Sequence, residues 1–371
     1  MMIRMNRCAL FLLAFLVFAS PLLAQLEDTD ETTKAKCAAY SKTPLPIEAT
    51  EIDAPKAWPE CNSYKSYSGI GTNTDFAAAR KCAWSERLAQ QANLEPRFSG
   101  ASVFGGSAML AVLYANGEGI ERNIPLALRF ACEAGGAPAE IEGRLQSLEA
   151  LGNVSTSQRK KISFCDDITS GFMEGFCAAY SSEIAEQERA RSWDTLKAQW
   201  TTEHRAAFAH LLAAEKVYAK AHAKGEIDLS GTARAMFQID AEDSILDDFH
   251  TAIADFEKGD LPHASHGDAL AADQRLNAVY RGKLADVEAH KSDYGAVQPD
   301  GVRSAERAWL RYRDTFVTFA GLHYPSVSPD AWLTLLTKDR ISVIDGRFCD
   351  MDAQDGPCAQ PGDRWKPSPL P

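Results

Sequence analysis

Several groups of side chains in this 371-residue chain have types and spacings that could do chemistry. His263, His266 and Asp268 form an H-x-x-H-x-D string, two imidazoles and a carboxylate of the kind that ligate a metal ion. A further ligand at convincing spacing is missing. The string therefore reads as a loop leading into a helix, with Asp268 or Ser265 as the cap, and no metal is expected. Asp243, Asp247 and Asp248 with His250, and Glu186, Glu188, Arg189 and Arg191, read as charged helix faces turned to solvent. Of the nine cysteines, Cys8 falls in an N-terminal leader. That leaves Cys37, Cys61, Cys82, Cys132, Cys165, Cys177, Cys349 and Cys358. An even count behind a leader points to disulfides made in an oxidising compartment. The residue types fix no connectivity; Cys165 with Cys177 and Cys349 with Cys358 are the local pairings. No C-x-x-C occurs, which argues against a redox motif or a zinc ribbon.

Catalytic signatures are missing. There is no G-x-S-x-G elbow, phosphate loop, H-E-x-x-H or dinucleotide fingerprint, and carboxylates are too numerous on helices to single out a hydrolytic pair. The expectation is a binding protein without a cofactor, not an enzyme. The formal net charge of -12 argues against nucleic acid or an anionic membrane as partner and favours a basic one. Arg4, Arg7 and the apolar run from Ala9 to Phe18 have the layout of a signal peptide, cut after Ala24 or, alternatively, after Ala19. Export to the periplasm or beyond follows. The run is short for a spanning helix, and no later segment is long and apolar enough to cross a bilayer, so no stable membrane insertion is expected.

The elements that must position these groups are helical almost throughout. After a leader over 1–24, residues 25–72 are turn-rich and read as a loop-like arm held by Cys37 and Cys61. Residues 73–150 form a helical region. Within it, Ser107 to Asn116, then Gly117 and Gly119, then Asn123-Ile124-Pro125, predict helix, tight turn, helix. The glycines supply positive φ, Asn123 supplies the cap, and Pro125 sits in the first turn. Over 160–348, six helices are predicted from apolar spacing. Tyr180, Ile184, Leu196 and Trp200 mark the first. Phe208, Leu211, Leu212 and Tyr218 mark the second, ended by Gly225. Leu246, Phe249, Ile253 and Phe256 mark the third, ended by Gly259. Leu276, Val279, Tyr280 and Leu284 give the fourth, and Ala305, Trp309, Tyr312, Phe316 and Phe319 the fifth. Ser328-Pro329 opens the sixth, which buries Trp332, Leu335 and Leu336. Residues 349–371 are a proline-bearing tail. The fold class is all-α: a short helix-turn-helix repeat region followed by a helical bundle.

Two resemblances rest on these segments. The Ser107–Leu128 stretch resembles a Sel-one-like repeat, a relative of the tetratricopeptide repeat, whose members hold proteins or peptides on stacked helix pairs. Three ordered blocks resemble the LprI-like lysozyme-inhibitor family. They are Asp273, Leu276, Asn277 and Tyr280; then Trp309, Tyr312, Arg313 and Asp314; then Thr337 and Arg340. The Cys165–Cys177 stretch resembles longer members. Glu306 stands where the family pattern usually has Gln. Val317 and Trp332 stand where many members carry a cysteine pair, an exchange consistent with packing replacing a covalent link. The resemblance implies a periplasmic or cell-surface protein that binds lysozyme, a commonly basic enzyme with an acidic cleft.

The ten motif residues are expected to hold the helices together, since Tyr280 and Trp309 lie on apolar stripes. Arg313, at the stripe's edge, needs a carboxylate, and Asp273 is the candidate. The loop from Gly321 to Pro329 is the candidate contact with lysozyme. The function expected is inhibition of lysozyme or another peptidoglycan hydrolase by blocking its cleft. The alternatives are an envelope scaffold acting through the repeat and an enzyme of unrecognised type. Oligomeric state is not legible.

Overall fold

The computed structural model describes residues 30–345 apart from 54, 95, 97, 98 and 155–159. The leader, the Cys349–Cys358 pairing and the tail lie outside the described residues. Among these residues the chain is helical and contains no strand. The first seven helices are α1 Glu31–Tyr40, α2 Ser63–Ser68, α3 Phe76–Gln91, α4 Gly100–Phe104, α5 Ser107–Asn116, α6 Ile124–Ala134 and α7 Pro138–Gly152. Then follow α8 Gly171–Leu196, α9 Thr202–Gly225, α10 Arg234–Glu257, α11 His266–Ala289, α12 Pro299–His323 and α13 Pro329–Ile344. No described helix is long and apolar enough to cross a membrane. The chain divides into two compact units: 30–63, 80–96 and 104–167 in one, 64–79, 97–103 and 168–345 in the other.

In the first unit the helix-turn-helix stands as the local rules require. Gly117 ends α5 at φ +69° with its N–H on the Leu113 carbonyl, and Gly119 follows at φ +67°. The Asn123 side chain accepts from Leu126 N–H at 3.0 Å, which caps α6, and Pro125 needs no donor there. Leu110, Leu113, Tyr114, Phe130 and Trp84 form the core. Glu48 receives the two polar ends that this aromatic group carries inward, the Trp84 indole N–H at 3.0 Å and the Tyr114 hydroxyl at 2.7 Å.

The arm differs from its loop-like reading, since α1 occupies its first part. Asp30 nucleates that helix by accepting from Thr32 and Thr33 N–H at 2.7 and 3.0 Å. Its face is too poor in apolar residues to show periodicity, so the cap and a tertiary bond fix it instead. Cys37 is bonded to Cys132 of α6, and Cys61 to Cys82 of α3. Cys165 and Cys177 are disulfide-bonded as well.

The second unit is built on one aromatic core. Phe208 and Tyr218 of α9, Phe249 and Phe256 of α10, Trp309, Tyr312, Phe316 and Phe319 of α12, and Trp332 and Leu336 of α13 are all buried in it. Each fully buried side chain of this size stabilises by about 1.5–3 kcal/mol before entropy is counted. α8 packs on α10, α11 on α13, and α9 along α12. The α9–α12 pair is antiparallel over its whole length: His204 meets His323 at one end, and Gly225 meets Gly301 at the other. A Cβ on Gly225 would lie 2.5 Å from the Gly301 carbonyl oxygen, so the close approach there requires glycine. The predicted starts hold. Ser265 caps α11 in a reciprocal box with Asp268, and Ser328 caps α13 ahead of Pro329.

Candidate protein-binding site

The motif residues separate by burial. Leu276, Trp309, Tyr312, Thr337 and Arg340 are buried, whereas Asp273, Asn277 and Asp314 are exposed and Tyr280 and Arg313 are half-buried. The Asn277 amide donates to the Asp273 carbonyl and carboxylate at 2.8 and 3.0 Å, so this pair closes on itself along α11. The pairing of Arg313 with Asp273 therefore has to be corrected. Arg313 donates to Asp314 at 2.7 and 2.9 Å and lies over the Trp309 ring at 5.3 Å. The neighbouring carboxylate is reached within one turn, and the aromatic face receives the cation.

The buried cation is Arg340, with no exposed surface at all. Its guanidinium donates to both oxygens of Glu226 at 2.7 and 2.8 Å, to Glu306 at 2.9 Å and to the Tyr218 hydroxyl at 3.3 Å. His222 shares the Glu226 carboxylate at 2.8 Å. One side chain thus ties α13 to α12 and to the end of α9. Glu306, in place of the usual Gln, gives this guanidinium a second charge. Burial works to raise the Glu226 carboxyl, but Arg340 and His222 hold it down to about 2. At Glu306 burial prevails over Arg340 and moves the carboxyl above its ordinary value. A cation removed from water is tolerated only with such complete pairing.

Val317 and Trp332 pack into the same core. The Trp332 ring meets Phe256, Tyr324 and Phe316 at 5.1, 5.4 and 5.6 Å. The loop after α12 is shorter than the Gly321–Pro329 reading, because α12 runs to His323 and α13 begins at Pro329. It is also anchored: Tyr324 donates to Glu257 at 2.7 Å, and His323 contacts the same carboxylate oxygen at 2.9 Å.

Within the H-x-x-H-x-D string Asp268 closes the capping box with Ser265, and His266 lies beside Asp330 at 3.3 Å. No group of three ligands suited to a metal ion occurs among the described residues. The reading of α8 and α10 as solvated faces needs correction. Arg189 is buried and bridges to Asp243 at 2.8 Å and to Asp247, and Asp248 is buried too. Arg189 stands four residues before the buried Trp193, so it belongs to the inward stripe of α8. The same spacing marks Glu215, four residues after Leu211 and three before Tyr218, as a buried position that the sequence reading missed.

Arg340 thus joins α13 to α12 and to α9, while α11 packs along α13. Residues 263–342 match the family model of the lysozyme inhibitor LprI. No curated protein and no solved structure matches the chain. The LprI match takes in α11, α12 and most of α13, and with them Glu306 and Arg340, while Tyr218, His222 and Glu226 precede it. The LprI segment is electrically balanced, with ten Asp and Glu against ten Lys and Arg. Residues 168–262 carry 17 Asp and Glu against nine Lys and Arg, a net -8. The acidity of the chain is therefore concentrated on the helices beside the LprI segment.

Proposed function

We propose that the protein is exported and binds lysozyme or another basic peptidoglycan hydrolase, inhibiting it by covering its cleft. The observation that carries this reading is the LprI match over 263–342, on a segment whose motif residues lie in a packed three-helix set. The acidic α8 and α10 add support, because such a surface steers a basic partner into encounter. The disulfides fit an oxidising compartment. The ten motif residues act in this reading chiefly as scaffold, and the exposed Asp273, Asn277 and Asp314 are the members free to meet a partner. The test is titration of the oxidised chain from Gln25 onward into a lysozyme assay on cell-wall substrate, with complex formation measured in parallel. Dose-dependent inhibition with a one-to-one complex is the expected result. Absence of binding to chicken-, goose- and invertebrate-type lysozymes would overturn it.

A second reading, an envelope scaffold, is supported by the α5–α6 helix-turn-helix, whose Gly117, Gly119 and Asn123 turn is compatible with one unit of a helical repeat. Under that reading the partner is retained when residues of the acidic α10 are neutralised.

A further inference from the structure

Glu215 of α9 is 1 % exposed, and its Oε1 has no hydrogen-bond partner. It faces a cavity of about 100 Å³ among α8, α9 and α10. A buried carboxyl oxygen left without a donor is costly, so a partner is wanted at this place. Arg189 also borders the cavity, but its guanidinium is already taken up by Asp243 and Asp247. Trp193, Leu212 and Leu246 give the cavity apolar walls. Ala190, Glu186 and Lys216 complete the lining and are exposed, so the cavity reaches the surface there. Lys216 and Glu186 pair across this mouth at 3.1 Å, both more than half exposed.

We propose that this cavity is the receptor for one lysine side chain of a basic protein partner, with the Glu215 carboxylate as its counter-ion. The proposal rests on the reading of the protein as a binder of a basic hydrolase and names the contact chemistry of that binding. A slender alkyl stem fits against Trp193, Leu212 and Leu246 while the ammonium reaches the floor. The cavity has room for the slender outer end of a lysine side chain. A planar guanidinium with its five donors is wider and would need a fork, and the fork nearby is filled by Arg189. An anion is disfavoured by a carboxylate floor and by the net -8 of 168–262. Burial pushes the Glu215 carboxyl well above the usual carboxylate range against the weaker pull of Arg189 and Lys216, as expected where a cation is missing from a carboxylate's surroundings. Glu186 at the mouth can leave Lys216 and accept the arriving ammonium on its way in.

The full oxidised chain is titrated with n-butylammonium, followed by calorimetry and saturation-transfer NMR, with 1-butanol as the uncharged control. Binding to the wild type and at least tenfold weaker binding to Glu215→Gln and to Ala190→Leu are expected. Ala190 is exposed, so its replacement narrows the mouth without entering the core, and thermal melting confirms that both variants fold. In parallel, chicken-type lysozyme is compared with its lysine-acetylated form. Native lysozyme should bind at least tenfold more tightly, and this difference should vanish in Ala190→Leu, which keeps every charge. Butylammonium binding that is absent, or equal across the three proteins, overturns the receptor. Equal binding of native and acetylated lysozyme also overturns it, while leaving the inhibitor reading in place. No lysozyme binding, together with butylammonium binding lost in Glu215→Gln, supports the receptor and removes lysozyme as the source of the lysine.

Discussion

Within the second unit, α11–α13 and α8–α10 contrast. The first set matches the LprI model and is electrically neutral; the second lies outside the match and carries the negative charge and a cavity with an unsatisfied carboxyl. Both contribute aromatic residues to one core. The difference teaches that a family match marks the residues that make a helix set close, here Trp309, Tyr312 and Arg340, while attraction for a partner can sit on neighbouring helices whose sequence is ordinary. Substitutions can press on this contrast from both sides.

The largest effect is expected inside the matched set. Arg340→Ala leaves Glu226 and Glu306 buried without their cation, and about 3–5 kcal/mol of stability should be lost in urea denaturation. A loss below 1 kcal/mol would mean that the cluster is not what closes the set. Next comes Gly301→Ala, whose Cβ would lie 2.8 Å from the Gly225 Cα; forcing α9 and α12 apart should cost about 1–3 kcal/mol, read as a lower Tm.

Two buried carboxyls outside the LprI match should also respond oppositely to pH. Glu226 is held below its unfolded value, so its stabilisation is present above the ordinary carboxylate range and disappears as pH falls toward about 2. Glu215 is raised, so its contribution is greatest below the ordinary carboxylate range and is lost as pH climbs toward its folded value. Glu215→Gln should therefore flatten the decline in stability as pH rises above the ordinary carboxylate range, and raise stability there. An unchanged slope in denaturant melts would contradict the assignment.

A smaller effect concerns encounter. Neutralising Glu242 and Asp255 of α10 should slow association with a basic hydrolase and weaken its salt dependence more than neutralising Asp286 and Asp314 of the LprI segment. Equal effects in stopped-flow measurements would erase the contrast. The smallest change is expected for Asn277→Ala, an exposed pair partner of Asp273, which should alter stability by no more than about 0.5 kcal/mol.

The pattern of what could be read from sequence follows from range. Gly117, Asn123, Ser265 and Ser328 act on backbone groups a few residues away, so the turn and the starts of α6, α11 and α13 were legible. The bonding partner of a buried charge is set by which helices meet, and that information is distributed over the whole core. Asp273 was a reasonable partner for Arg313 by composition, yet Asp314 was nearer. Arg189 looked like an ordinary surface charge because charged residues usually are, and Glu215 was not singled out at all. Their phase, in register with Trp193 and Leu211, was the available signal. α1 was missed because Asp30 and the Cys37–Cys132 bond hold it where apolar periodicity does not.

The contact of Gly225 with Gly301 straddles the start of the LprI match, and so does the grip of Arg340 on Glu226. The matched segment is therefore smaller than the cooperative folding unit. A fragment cut at 263 would lose the helix that lies along α12 and the carboxylate that neutralises α13, and would present a bare aromatic face to water. Truncations meant to isolate the recognisable module should instead begin ahead of Gly171, so that α8, α9 and α10 travel with it.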